Sequence, residues 1–151
     1  MDAMEGKRVL VVFEPGPGGA AALAWARELV ERQGVTLDVV AVAPQGMSGA
    51  RCGNSALDYN LAVQDAVSQD LDRARVALGE VAVRASYALL LEGSSPSLDE
   101  FAASGCFDLV LLPARRRLMR GAAHPAAERL RRAINAEIQV VAPAAEQRPR
   151  A

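Results

Sequence analysis

The sequence predicts an α/β fold, a three-layer α/β/α arrangement around a five-stranded parallel sheet. Three observations carry that expectation. Short, continuous apolar runs recur along the chain, and such runs suit strands buried on both faces. Stretches with apolar residues three and four apart lie between them. Glycine and proline punctuate most boundaries. Strict alternation of this kind implies helices on both faces of a parallel sheet, joined by right-handed crossovers.

The elements read in order as follows. Lys7 to Phe13 (KRVLVVF) is the first strand. The breakers Pro15 to Gly19 follow, then a helix with Ala22, Trp25, Ala26, Leu29 and Val30 on one stripe, ended by Gly34. Thr36 to Ala43 is the second strand, closed by Pro44. Gln45 to Ser55 reads as loop. A long helix then carries Val63, Val67, Leu71, Ala74 and Leu78, and Gly79 stops it. Val81 to Leu91 is expected to be the third strand. After a Gly93–Pro96 turn, Ser97 caps a short helix with Glu100 as its capping-box partner. Asp108 to Leu112 is the fourth strand. Pro125 is expected at the first helical position of the last helix, Ala126 to Asn135. Glu137 to Ala142 is the fifth strand.

The totals narrow the classes. The chain has 151 residues, 51% hydrophobic, enough for one domain with one core. Residues 1–143 read as that domain and 144–151 as a flexible tail. A net charge of -1 gives no global pull toward nucleic acid or membrane. No apolar stretch approaches the roughly 20 residues a spanning helix needs. No secretion signal is visible at the start, so a cytoplasmic protein is expected. The two cysteines, Cys52 and Cys106, form no metal-ligand pattern with the single histidine, so no metal site is expected. Reduced thiols are the expectation, with Arg51 the only local reason to consider Cys52 reactive.

In a parallel α/β sheet, ligands bind beyond the carboxyl ends of the strands, where the strand order reverses. The segments to interrogate are therefore 14–19, 44–55, 93–96 and 113–124. Gly16, Gly18 and Ala21 match a dinucleotide-binding turn, yet Asp38 precedes the apolar end of the second strand instead of following it. A plain glycine- and proline-rich turn explains the same residues. A phosphoacceptor site needs converging acids, and Glu14 and Glu92 each stand alone in sequence. Glu14, just past the first strand, reads either as a solvated loop acid or as a hydrogen-bond acceptor for a base or sugar. His124 reads as a helix cap, without a local acid or nucleophile for catalysis.

The strongest unusual feature is basic. Residues 113–132 hold seven arginines and one acid, Glu128. Arg115, Arg116, Arg117 and Arg120 fall in the loop itself, close to a helix N-terminus. That combination favours an anion: a phosphate, a nucleotide or an acidic protein partner. A solvated charged face accounts equally for the composition. Few aromatic residues are free to stack on bases, so nucleic acid is not expected.

From Lys7 to Val141 the chain resembles the universal stress proteins. The resemblance rests on KRVLVVFEPGPGGAAALAWARELVERQG, TLDVVAVAP, LEGSSPSLDEFAASGCFDLVLLPARRR and AERLRRAINAEIQVVAP. It implies the adenine-nucleotide-alpha-hydrolase-like version of the fold and a stress-response or regulatory role. Some members bind ATP, using an acid after the first strand, here Glu14. They also use a glycine loop after the fourth strand, whose backbone N–H groups cradle phosphate. Here Pro113 and Arg116 stand at the first two glycine positions, and His124 and Pro125 replace the glycine–hydroxyl pair. Proline has no N–H to donate, and side chains hinder close backbone approach. The resemblance therefore implies a non-enzymatic domain without a cofactor, dimerising through the last strand, 137–142. The alternative is a nucleotide or anion module with slow ATP hydrolysis. It would hold ATP or another phosphate through Glu14, Arg115, Arg116, Arg117, Arg120 and His124, its arginines acting as bidentate donors.

Overall fold

The computed structural model describes residues 6–44, 55–115 and 123–143, the side chains of 55–59 excepted. Five strands and four α-helices alternate: β1 (Arg8–Val12), α1 (Pro17–Gln33), β2 (Thr36–Ala43), α2 (Ser55–Leu78), β3 (Ala85–Leu91), α3 (Leu98–Ser104), β4 (Leu109–Pro113), α4 (Ala127–Ala133) and β5 (Glu137–Val141). All four strand pairings are parallel, in the order β3-β2-β1-β4-β5. The three-layer α/β/α expectation is the architecture found. Among the described residues, no helix is long and apolar enough to cross a membrane.

The apolar runs work as anticipated because successive strand side chains point to opposite faces. Val9 and Val11 enter the core under α1 and α2, while Leu10 and Val12 enter the core under α3 and α4. Each is 2% exposed or less. Burying one such side chain contributes roughly 1.5–3 kcal/mol. The helices follow the same logic: α1 turns Ala22, Ala26, Leu29 and Val30 inward, and Gly34 ends it in a left-handed cap. Ser97 caps α3 through its side chain, with Glu100 completing the capping box.

Two expectations are corrected. The third strand does not begin at Val81. Residues Gly79–Arg84 form a 3-10 segment, and β3 starts at Ala85. The register explains this: Ala85 pairs with Leu37, one residue after β2 begins, so 81–83 have no strand to pair with. Val81 is buried there as an anchor instead. The last helix is also shorter than Ala126 to Asn135. Pro125 and Ala126 form a turn before it, because the His124 carbonyl accepts the Ala127 N–H.

Pro113 sits inside β4, paired with Val141, although proline lacks an N–H. The Ala114 N–H donates to Val141 on the β5 side, so the missing donor of Pro113 would face β1. Pairing with β1 has already ended at Leu111, so no ladder bond is lost.

Candidate functional site

The order reverses between β1 and β4, which connect outward in opposite directions. The crevice beyond their carboxyl ends is the expected ligand position. Glu14 leaves β1 there and Arg115 leaves β4 there. The N-terminus of α1 is packed tightly into the same corner. A Cβ on Gly19 would lie 1.7 Å from the Glu14 carbonyl oxygen, and one on Gly18 would lie 2.5 Å from the Ala114 carbonyl oxygen. Gly18, one of the glycines that resemble a dinucleotide turn, is thus required by the fold itself, as is Gly19, to seat α1 against the ends of β1 and β4.

Three of the candidate residues converge. The Arg115 guanidinium donates to both oxygens of Glu14, from Nε at 2.9 Å and from Nη2 at 2.7 Å. His124 Nε2 lies 2.8 Å from Glu14 Oε2. The proton position follows from the other ring nitrogen. His124 Nδ1 accepts the Ala126 N–H at 3.1 Å, so in this arrangement Nε2 carries the proton and donates it to Glu14. The His124 side chain is only 4% exposed, against 26% for Glu14 and 52% for Arg115. A half-buried carboxylate is thus held by a buried ring on one side and a partly solvated fork on the other.

The electrostatics agree with that geometry. Burial alone pushes the Glu14 carboxyl up, but hydrogen bonds from His124 and Arg115, together with the Arg115 charge, outweigh it and bring its pKa down to about 2. The Arg115 pKa is pushed up, chiefly by the same hydrogen bond.

The cluster also ties together three pieces of chain. The Arg115 N–H donates to the Ala123 carbonyl at 2.8 Å, closing the neck of segment 116–122. Arg115 enters that neck and His124 leaves it, and both grip the acid of the β1–α1 loop. Arg116, Arg117 and Arg120, and with them the second glycine position, lie outside the described residues, as does Cys52.

Two cavities meet at the ion pair. One, of about 410 Å³, has an apolar floor of Val12, Val42 and Leu90 and is flanked by Asp99, His124 and Arg129. The other, of about 460 Å³, lies over Pro15–Gly18, Pro113 and Ala114. Glu14 and Arg115 line both. Arg129 and Asp99 are site residues that the sequence did not single out. Arg129 Nε contacts both Asp99 oxygens, at 2.9 and 2.8 Å, beside the 410 Å³ cavity. Arg129 sits in the basic window, but nothing local links it to Asp99, 30 residues earlier.

Tertiary pairing changes the meaning of the basic window. Arg115, Arg129 and Arg131 are matched by Glu14, Asp99 and Glu128. Two of those acids come from outside 113–132. At α4, His124 already takes two backbone N–H groups, those of Ala126 on Nδ1 and Ala127 on its carbonyl. Both would otherwise be free to receive an anion.

No family model and no curated protein sequence matches the chain significantly. Solved structures do share its fold. A protein of the universal stress protein family from Burkholderia pseudomallei superposes with a TM-score of 0.66 at 20% identity, over 94% of this chain and 98% of that one. The universal stress protein UspA from Lactobacillus plantarum gives 0.71 at 16%, over 91% and 98%. The universal stress protein from Archaeoglobus fulgidus in complex with dAMP gives 0.61 at 16%, over 91% and 98%. The fold of this chain is therefore that of the universal stress proteins.

Proposed function

We propose that this chain is a small, non-enzymatic regulatory domain of universal stress protein type that does not hold ATP in the glycine-loop manner. One observation carries the proposal. The acid that would face a bound base or sugar is already engaged at both oxygens, with Arg115 and His124 donating three hydrogen bonds to them. A nucleotide reaching across the crevice would have to break that cluster where the two cavities meet. Pro113 supports the same conclusion, since it withdraws one N–H from the place where a phosphate cradle would start. A cytoplasmic role in a stress response and a homodimer built on the β5 edge, 137–142, belong to this proposal. A monomer in light scattering at micromolar concentration would count against the dimer.

The test is isothermal calorimetry of the purified protein with ATP, ADP and polyphosphate, alongside mass spectrometry for co-purified nucleotide. No saturable heat and no nucleotide are expected. Micromolar ATP binding would overturn the proposal.

A second reading, an anion or nucleotide module with slow ATP hydrolysis, draws on the two adjoining cavities and on the dAMP held by a protein of the same fold. It requires Arg115 to leave Glu14 for the ligand. Under it, the double variant Arg115→Ala with Arg116→Ala weakens ATP binding.

A further inference from the structure

Glu14 and His124 form a fixed pair at the site. Its carboxylate opens onto the 410 Å³ cavity, whose floor is apolar. The ring that fixes Oε2 is itself fixed through Nδ1, so the carboxylate cannot readily turn away. The group that now fills it is a planar fork, two N–H donors spaced to match two oxygens. That fork is tethered to the chain, yet its side chain is half exposed. Among the described residues around the cavity, three carboxylates (Glu14, Glu92 and Asp99) face two guanidinium groups (Arg115 and Arg129). Removing the Arg115 charge therefore leaves the described lining with a net negative charge that favours a cation. A tethered occupant, a fixed carboxylate and an apolar floor together define a guest by its chemistry.

We propose that the Glu14–His124 pair is a receptor for a guanidinium or amidinium group, with Arg115 acting as its built-in, displaceable occupant. An incoming guest places its own planar N–H fork on Glu14 and its apolar stem over Val12, Val42 and Leu90. Arg115 then swings to solvent and gives up its own hold on the β1–α1 loop, while His124 keeps its bond to Glu14. An ammonium group is a poorer guest, because it cannot present two coplanar donors. The proposal deepens the reading that this site does not serve ATP, but its test is separate from the ATP titration.

The test is calorimetry and thermal shift on the full chain, comparing wild type with Arg115→Ala. The probes are agmatine, as a free small molecule, and a capped Gly-Arg-Gly peptide, as a protein-borne side chain. Cadaverine and a capped Gly-Lys-Gly peptide are the ammonium controls. An occupant in place nine-tenths of the time weakens an external guest about tenfold, so Arg115→Ala should bind agmatine about tenfold more tightly than wild type. Adding Glu14→Gln to Arg115→Ala should abolish that binding. Binding of the arginine peptide as well as agmatine would assign the guest to a partner protein; agmatine alone would assign it to a small molecule. No saturable binding of either by Arg115→Ala would overturn the proposal, as would ammonium controls that bind equally well. Should the double variant not fold, Arg115→Lys gives an independent answer. Its single ammonium should be displaced more easily than the fork, so agmatine affinity no better than wild type would also overturn the receptor.

Discussion

The Glu14 cluster makes a stability prediction that can be worked through. Glu14→Gln keeps the shape of the side chain and removes its charge. In the folded chain the Glu14 carboxyl ionises at about 2 instead of the usual 4.5. A difference of that size favours the ionised folded form by about 3 kcal/mol. Because 52% of the Arg115 side chain is exposed, its share is screened by water, and about 2 kcal/mol is the expected loss at pH 7. The sign with pH follows from which state holds the proton more tightly. The unfolded chain keeps this proton up to about 4.5, whereas the folded chain releases it near 2. The stabilisation is therefore complete above about 4.5 and is lost as the pH falls toward 2. Urea unfolding of both proteins, followed by circular dichroism at several pH values from 7 to 3, measures the difference. A loss below about 0.5 kcal/mol at pH 7 would refute the assignment of Glu14 as a tightly held ion, as would a loss that does not shrink on acidification.

Other outcomes follow from the same geometry. Gly19→Ala sets a methyl 1.7 Å from the Glu14 carbonyl oxygen, so it should cost roughly 3 kcal/mol or more, or yield insoluble protein; a soluble variant with an unchanged melting temperature would contradict the packing of α1. Ser97→Ala removes the side-chain cap of α3 and should cost about 1 kcal/mol in urea unfolding. Breaking the exposed Arg129–Asp99 pair should matter less, with a double-mutant coupling of about 0.2–1 kcal/mol. His124→Ala leaves the Ala126 N–H without its acceptor and Glu14 without a donor, and should destabilise by about 2 kcal/mol, more than Arg115→Ala under the same conditions.

The departures from expectation share a cause. Val81 to Val83 look like the start of a strand because they are apolar and β-branched in part, yet pairing needs a neighbour, and β2 starts too late in register to supply one. The basic window looks like an anion trap because a count along the chain sees only local charge. The fold brings Glu14 from 101 residues away to Arg115, and Asp99 from 30 residues away to Arg129. His124 was legible as a helix cap, and it does receive the Ala126 N–H. Its second bond, to Glu14, crosses 110 residues and left no local signal.

What the sequence alone determined is the frame: five apolar runs set between amphipathic helices, a capped α3, and a ligand crevice beyond the carboxyl ends of the strands. These follow from periodicity and local capping, which act over a few residues and are written directly in the order of side chains. Only the tertiary structure decided the state of the crevice. Glu14, Arg115 and His124 stood in sequence only as separate candidates for a ligand, with nothing to link them to one another. Folding places them within hydrogen-bond distance of one another, and a carboxylate half removed from water takes the nearest donors available. The arginine-bearing loop that invited an anion thus spends its first arginine on the protein's own acid.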